Sequence, residues 1–264
     1  MKNQNFITLG SFGDTLYSLC LVKMLGGGNM YVKLGGMDDF VRRVFGREPD
    51  GYHKGRYNQK DYDMIAPLLK AQDYLGHVAI HNGEPEDFSF EDHWKFHLPR
   101  GWTGNQTECY AMTQGMDIHD PVISKQLLLE PWLTPVESIK IPGKPCVINR
   151  TNRYLYGCDG GQWHTWAKQG LGDYSVFVGT PDEHEAFEKD FNVKVEYRPI
   201  KDLLEMAQLI QGCEQFMGNQ SVALSIAIGL GKTFWCEVRK DFHLTKTPHG
   251  YGDVWFPRIN GHYF

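Results

Sequence analysis

Residues 210–237 read IQGCEQFMGNQSVALSIAIGLGKTFWCE, and this stretch decides the predicted fold. A short apolar strand leads into the turn Gly218-Asn219-Gln220-Ser221, and small apolar residues then predict a helix over residues 222–228. Glycines end that helix, and a strand resumes at residues 233–236. A strand, a polar turn and the N–H groups at the start of a helix form a site for a phosphate or another anion. The alternative is an ordinary tight turn of an α/β sheet, with no ligand.

The same alternation of strands and helices extends through both halves of the 264-residue chain. Strands that alternate with helices predict parallel sheets. Pro142, Gly143 and Pro145 indicate a linker, and the length suffices for two domains, which we place at residues 1–138 and 139–264. The predicted strands are residues 5–9, 30–34, 78–82, 146–149, 174–178 and 193–197, followed by the two in the stretch above.

The composition excludes several classes of protein. Hydrophobic residues make up 41% and charged residues 22%, which is typical of a globular protein rather than a disordered one. The sequence contains neither an apolar run of about 20 residues nor the layout of a signal peptide, so we expect no transmembrane segment and a cytoplasmic location. A net charge of −5 gives no overall signature for nucleic-acid binding, although one local basic groove stays compatible with it. No pattern indicates a particular oligomeric state.

Cysteine and histidine spacing does not predict a metal site. The six cysteines are scattered, with no CxxC pair, which favours buried thiols over a disulfide framework or a zinc site. His93 and His97 have the spacing of a helical metal-binding pair, but Pro99 and the polar residues around them favour a loop.

Asp14 is the candidate catalytic residue of the first half. It closes the turn Gly10-Ser11-Phe12-Gly13-Asp14, between the first strand and the first helix. Ligands of parallel sheets collect beyond the carboxyl ends of the strands, so Asp14 is expected to face a ligand site. Its carboxylate has an alternative structural role, because it also suits the N-terminus of a helix.

Arg150 and Arg153 are candidate ligands for a diphosphate in the second half. They follow the strand at residues 146–149, where a sheet opens onto a ligand site, and a guanidinium can bind two oxygens at once. The alternative is a pair of solvated surface arginines. Thr180 and Glu237 also stand at predicted strand ends, Glu237 either to bind a ribose hydroxyl or as a charge on the rim.

Two stretches resemble one known family. The run Gly10-Ser11-Phe12-Gly13-Asp14-Thr15-Leu16 resembles the N-terminal loop and helix of the ADP-heptose lipopolysaccharide heptosyltransferases, which are GT-B glycosyltransferases. The second half resembles the donor-binding domain of that family through Asn149-Arg150-Thr151, Trp163, Phe177-Val178-Gly179, Asp202-Leu203 and residues 218–232. It departs from the family pattern at Gln162, where a Lys usually precedes the Trp, and at Ser225, where a His is expected.

The resemblance implies a GT-B-like α/β fold, in which two Rossmann-like domains face each other across a cleft. It also implies that Asp14 is the catalytic base, that a nucleotide sugar is the co-substrate, and that neither a cofactor nor a metal is needed. The aromatic C-terminal segment from Thr245 is a candidate to pack back across the first domain. The expected donor-binding residues are Gly13, Arg150, Arg153, Thr180, Gly218, Asn219, Gln220, Ser221 and Glu237.

The function predicted from these features is an inverting, metal-independent glycosyltransferase that acts on a hydroxyl acceptor. That acceptor is either a saccharide or a hydroxylated base in phage-type DNA. Two alternatives remain on the same scaffold: a non-catalytic nucleotide- or sugar-binding module, which the departures at Gln162 and Ser225 favour, and a nucleotide-sugar epimerase.

Overall fold

The computed structural model describes residues 4–8, 12–35, 42, 46, 48, 58–90, 106–152, 160–237 and 261–264. These residues fall into two compact units, one ending at Thr134 and the other beginning at Pro135. Each unit contains one sheet, and every strand pair in both sheets is parallel. The predicted α/β class with parallel sheets is therefore confirmed.

The first unit has a four-stranded sheet in the order β3-β2-β1-β4. Its strands are β1 (Asn5–Thr8), β2 (Gly28–Val32), β3 (Leu75–Ile80) and β4 (Phe88–Ser89). Its helices are α1 (Phe12–Met24), α2 (Gln59–Lys70), α3 (Gln106–Thr113) and α4 (Pro121–Leu129). One side of α1 packs on α3 and α4.

The second unit has a six-stranded sheet in the order β10-β9-β8-β5-β6-β7. Its strands are β5 (Cys146–Asn149), β6 (Ser175–Phe177), β7 (Glu196–Tyr197), β8 (Gln215–Asn219), β9 (Thr233–Glu237) and β10 (Gly261–Tyr263). Its helices are α5 (Gly161–Lys168), α6 (Leu171–Tyr174), α7 (Pro181–Phe191), α8 (Leu203–Gly212) and α9 (Val222–Gly229).

Helix α9 is the predicted helix of the stretch at residues 210–237. Ser221 begins it, since its hydroxyl accepts a hydrogen bond from the Leu224 N–H at 3.3 Å. Residues 223–229 are all buried, which their small or apolar side chains permit. Gly231 ends the turn after the helix with a φ of 69°, a value that glycine adopts without strain. The strand, helix and strand predicted for this stretch are therefore confirmed.

An aromatic cluster forms the core of the second unit around Trp163, which is completely buried. The ring of Trp163 meets those of Phe187 and Trp166 edge to face, with centroids 5.1 and 5.4 Å apart. Ile148 from β5 and Met217 from β8 complete this core against the sheet. Because β5 and β8 anchor it, the ends of these two strands are held firmly, and the candidate donor residues lie there.

Several elements differ from the sequence predictions. Helices α4, α5 and α6 and the edge strands β4 and β10 were not predicted. The strand predicted at residues 193–197 is only β7, two residues long. Strand β4 has only two residues and α6 only four, so these elements carry too little periodic pattern to be recognised.

The chain ends in the second unit, where β10 extends the sheet beside β9. The predicted contact of the C-terminal segment with the first domain concerns residues 245–260, which lie outside the described residues. None of the described helices has the length and hydrophobicity that crossing a bilayer requires.

Candidate functional site

Asp14 lies in the first turn of α1, partly buried, with Gly13 beside it. The N-terminus of a helix favours a negative charge there, so this position suits an ionised carboxylate. Oδ1 of Asp14 accepts a hydrogen bond of 2.6 Å from Nε2 of Gln106, the first residue of α3. The carboxylate is thus oriented by a neutral amide from a segment far away in sequence.

Gln106 and Tyr110 were not predicted as site residues. The hydroxyl of Tyr110 accepts a hydrogen bond from Nε2 of Gln106 at 2.9 Å and donates one to the main-chain carbonyl of Asp14 at 3.0 Å. Both side chains are buried. A glutamine and a tyrosine four residues apart in a short helix are common, so the sequence held no signal for this contact.

In the second unit, the carboxyl ends of β5, β8 and β9 lie side by side. Asn149 is opposite Gly218, and Asn219 is opposite Glu237. The structure thus brings together Arg150, Asn219 and Glu237 at the carboxyl ends of these strands. All three were predicted as donor-binding residues. Arg153, the other predicted phosphate ligand, lies outside the described residues.

Arg150 makes an internal ion pair with Glu237. Its Nε donates to Oε2 of Glu237 at 2.7 Å, and a second nitrogen donates to Oε1 at 3.4 Å. The third guanidinium nitrogen meets Asp190 at 3.3 Å, and the guanidinium carbon lies 4.8 Å from the centre of the Phe191 ring. The side chains of Arg150 and Glu237 are only 7% and 3% exposed. The two residues predicted to bind phosphate and ribose are therefore bound to each other.

Asn219 holds the loop that follows β5. Its side-chain oxygen accepts a hydrogen bond from the Thr151 N–H at 3.0 Å, and its side-chain nitrogen donates to the Thr151 carbonyl at 2.9 Å. Gly218, the residue before Asn219, lets β8 lie close to β5, since a Cβ there would lie 2.3 Å from the Asn149 carbonyl oxygen. The turn residues thus have a structural role whether or not they bind a ligand.

Asn149 carries a buried acceptor at the same edge of the sheet. Its Nδ2 donates to the Val178 carbonyl at 2.7 Å, and its Oδ1 is buried with no hydrogen-bond partner among the described residues. An unsatisfied buried oxygen is costly, which suits a position where a ligand or a water supplies a donor.

Thr180 and Ser221 both cap helices. The hydroxyl of Thr180 accepts from the Glu183 N–H at 3.2 Å, while the Thr180 N–H donates to the Glu183 carboxylate at 3.0 Å. Ser221 caps α9 in the same way, and Gln220 beside it is partly buried. Caps satisfy only some of the first N–H groups of a helix. Ser221 therefore satisfies only part of the N-terminus of α9, and anion binding there stays a prediction.

The structure describes both departures from the family pattern, Gln162 and Ser225. Ser225, where a His is expected, is buried, and its hydroxyl donates to the Val222 carbonyl at 2.7 Å. Gln162 precedes the core residue Trp163 and is partly buried. Neither residue brings a positive charge to the donor side.

The described cysteines are not suited to nucleophilic catalysis. Cys20, Cys109, Cys146, Cys213 and Cys236 are buried thiols outside any disulfide, as predicted, while Cys158 lies outside the described residues. Burial raises the pKa of Cys20 and of Cys109 to about 12 and that of Cys213 to about 11. Such thiols stay protonated near neutral pH.

No metal site is found in the parts of the chain that the structure describes. There, no three His, Cys, Asp or Glu side chains converge as metal ligands would. His93 and His97, the pair with metal-ligand spacing, lie outside these parts.

The fold resembles that of known glycosyltransferases. A family 9 glycosyltransferase from Veillonella parvula matches with a TM-score of 0.50 and 13% identity, over 100% of this chain and 87% of that chain. ADP-heptose LPS heptosyltransferase II from E. coli matches with a TM-score of 0.50 and 13% identity, over 99% and 90%. The dodecameric iron-containing glycosyltransferase TibC from enterotoxigenic E. coli gives 0.51 and 12%, over 98% and 61%.

These matches confirm the predicted resemblance at the level of the fold. No protein-family model matches the sequence, and no curated protein sequence matches it. Identity of 12 or 13% leaves the reaction to be argued from the site itself.

Proposed function

We propose that this protein is a glycosyltransferase that moves a sugar from a nucleotide-sugar donor to a hydroxyl acceptor. The observation that carries the proposal is Asp14, an oriented carboxylate in the first turn of α1, in a chain whose fold resembles that of glycosyltransferases. An acceptor hydroxyl needs a base to take its proton, and an oriented carboxylate is a group that can do so.

The proposed reaction is a single inverting displacement. The acceptor oxygen attacks the anomeric carbon of the sugar while its proton passes to Asp14, and the bond from that carbon to the diphosphate breaks. The nucleotide diphosphate leaves with the bonding electrons, so groups that stabilise its negative charge lower the barrier. General-base assistance of this kind is typically worth about 10²–10⁴-fold in rate.

We assign donor binding to the second unit, without a metal ion or another cofactor. The N–H groups at the start of α9, together with Gly218, Asn219, Gln220 and Ser221, are suited to the diphosphate. Arg153 and Thr180 are further candidates in the second unit, and Gly13 is a separate candidate in the first unit. Arg150 and Glu237 join them only if the ligand exchanges for their ion pair, which is a considerable energetic demand.

The acceptor is proposed to be a saccharide or a hydroxylated base in DNA. The net charge of −5 favours the saccharide, because duplex binding usually relies on clustered Lys and Arg. Duplex binding that weakens steeply as salt rises would favour DNA instead. We place this reaction in the cytoplasm.

A non-catalytic nucleotide- or sugar-binding module is the second candidate. The engagement of Arg150 by two carboxylates favours it, since a transferase needs positive groups near its leaving diphosphate. A nucleotide-sugar epimerase is the remaining alternative, and it would convert the donor without any acceptor.

The test compares wild-type protein with Asp14→Asn. Asparagine keeps an oxygen that can accept from Gln106, so the orientation is retained while the base is lost. The protein is mixed with ADP-, UDP-, GDP- and CDP-sugars and a panel of acceptors, and transfer is measured. We expect Asp14→Asn to lower transfer about 10²–10⁴-fold. Thermal stabilisation by the nucleotide should persist, at about 2.7 kcal/mol for a ligand at about 100 times its dissociation constant.

The matched control is Asp61→Asn, another carboxylate in the first turn of a helix of the same unit. It should leave transfer unchanged. Full turnover by Asp14→Asn would contradict the base assignment. Nucleotide binding without transfer in the wild type would favour the binding module, and donor conversion without acceptor would favour the epimerase.

A further inference from the structure

The contact between Asp14 and Gln106 is short, and the glutamine that makes it is buried. Nε2 of Gln106 lies 2.6 Å from Oδ1 of Asp14, and Gln106 is only 4% exposed. An ionised carboxylate only accepts hydrogen bonds, so the amide nitrogen must face it. A donor held in a buried site orients its acceptor more strongly than a solvent-exposed donor does.

The hydrogen atoms of this cluster have one self-consistent arrangement. The amide of Gln106 has two hydrogens, one for Asp14 Oδ1 and one for the Tyr110 hydroxyl oxygen at 2.9 Å. The single hydroxyl hydrogen of Tyr110 then serves the main-chain carbonyl of Asp14 at 3.0 Å. Two hydrogen bonds therefore tie the side chain and the main chain of Asp14 to α3, and a third, between Gln106 and Tyr110, links the two donors within that helix.

We propose that Gln106 is a positioning residue for Asp14, and that Tyr110 fixes Gln106 in turn. The inference rests on the proposed transferase function, because it gives the two residues a role in the same reaction. Gln106 holds the carboxylate in the orientation from which it takes the acceptor proton. Misplacing a reacting group by about 1 Å can lower a rate about 100-fold.

The first unit contains a second glutamine and tyrosine pair, Gln72 and Tyr74, in which the buried glutamine donates to a main-chain carbonyl instead of a carboxylate. Gln72 is 1% exposed, its Nε2 donates to the Leu68 carbonyl at 2.9 Å, and its Oε1 accepts from the Thr134 N–H at 2.8 Å. The Tyr74 hydroxyl also donates to Gln72 Oε1, at 3.4 Å. Because the side chain of Gln72 bonds to main-chain groups away from Asp14, Gln72→Leu is a matched control for the loss of a buried amide.

The experiment measures kcat and KM for wild type, Gln106→Leu, Gln106→Glu and Gln72→Leu, with the nucleotide sugar and acceptor that give the fastest wild-type transfer. We expect Gln106→Leu to lower kcat about 10- to 100-fold with KM changed less than about 2-fold. Gln106→Glu keeps the shape but replaces a donor by an acceptor, so it should lose at least as much. Gln72→Leu should keep kcat within about 2-fold in the folded protein.

A double variant separates positioning from general damage. In the Asp14→Asn background, Gln106→Leu should change the residual rate less than about 2-fold, because the residue acts only through Asp14. Equal further losses in both backgrounds would overturn the proposal. If Gln106→Leu does not fold, Tyr110→Phe provides the same comparison, since it removes a single oxygen.

A structural measurement distinguishes failure of this inference from failure of the proposed function. Crystal structures of wild type and Gln106→Leu should differ in the orientation of the Asp14 carboxylate. If wild type transfers no sugar but the carboxylate reorients, the transferase function is wrong and the positioning role holds. If the carboxylate keeps its orientation, or if kcat is unchanged in an active enzyme, the positioning role is wrong.

Discussion

Asp14 and Arg150 each follow the first strand of a parallel sheet, yet their charges are held in opposite ways. Asp14 is bound by the neutral amide of Gln106 at 2.6 Å. Arg150 is bound by two carboxylates, Glu237 at 2.7 Å and Asp190 at 3.3 Å. The hydrogen bond from a neutral donor orients the Asp14 carboxylate. An opposite charge in a buried site neutralises the group and makes its removal expensive.

Asp14 and Arg150 were both predicted as charged ligand-site residues just after a strand, but their surroundings in the structure assign them different roles. The first unit keeps an oriented carboxylate, which suits a reacting group. The second unit uses Arg150 to join the ends of β5 and β9 to α7, which suits a structural support. This difference predicts different effects of substitutions on stability and on its pH dependence in the two units.

The largest effect is expected from breaking the ion pair of the second unit. Among the described residues, Glu237→Ala would leave the buried guanidinium of Arg150 with only the half-exposed Asp190 as an ionic partner. We expect the free energy of unfolding in urea to fall by about 3–5 kcal/mol. Asp14→Asn should change it by less than about 1 kcal/mol, because the bond from Gln106 persists.

The double variant Arg150→Met with Glu237→Leu is the control for that prediction. Replacing both charges by apolar side chains should restore stability to near the wild-type value, since no charge is left unpaired. If Glu237→Ala costs less than about 1 kcal/mol, Arg150 can turn to other partners. The buried ion pair would then not hold Arg150 in place, and Arg150 would again be a candidate phosphate ligand.

A smaller effect is expected from glycine substitutions in the two sheets. A Cβ at Gly218 would lie 2.3 Å from the Asn149 main-chain oxygen, so Gly218→Ala must shift the strands that carry the ion pair. We expect a loss of about 1–3 kcal/mol in the free energy of unfolding. Gly76 of β3 is the matched control, since its nearest neighbour would be the Asn29 side-chain oxygen at 3.5 Å.

Gly76→Ala should change stability by less than about 0.5 kcal/mol, as surface substitutions usually do. Chemical denaturation of the two variants, under one set of conditions, provides the comparison. Equal losses of stability for both variants would show that the carboxyl ends of β5 and β8 are not as tightly packed as the distances indicate.

The smallest effect concerns the pH dependence of the second unit. Partial desolvation acts to raise the pKa of Glu188, but the hydrogen bonds from Lys194 Nζ at 2.6 Å and the Val195 N–H at 3.0 Å outweigh it, so the pKa is lowered. A lowered pKa adds stability that is present above the unfolded value of about 4.5. That stability is lost as the pH falls through the lower folded value.

Wild type and Glu188→Gln should therefore differ most near neutral pH, by less than about 1 kcal/mol because Lys194 is exposed. The difference should shrink as the pH is lowered below about 4.5. Urea denaturation at several pH values measures it. A difference that stays constant down to acid pH would mean that the ionisation of Glu188 does not contribute.

Much of the fold was predictable because its signals are local. The turn at Gly218, the cap at Ser221 and the apolar residues of α9 are neighbours in sequence, and the helix forms where they predict it. Asp14 was found as a candidate in the same way, from a strand, a glycine turn and a helix in succession. The edge strands β4 and β10 were missed, because a two- or three-residue strand is recognised only by its partner.

The partners of the charged residues could not be predicted, because they depend on segments that are distant in sequence. Gln106 reaches Asp14 across 92 residues, and Glu237 reaches Arg150 across 87. The parallel α/β class, the position of Asp14 at a helix start and the polar strand ends of the second sheet all follow from local sequence patterns. That an amide orients Asp14 and that carboxylates bind Arg150 follows from the folded structure alone. Packing selects which distant side chains share a buried site, and the charge of those neighbours sets the role of each residue.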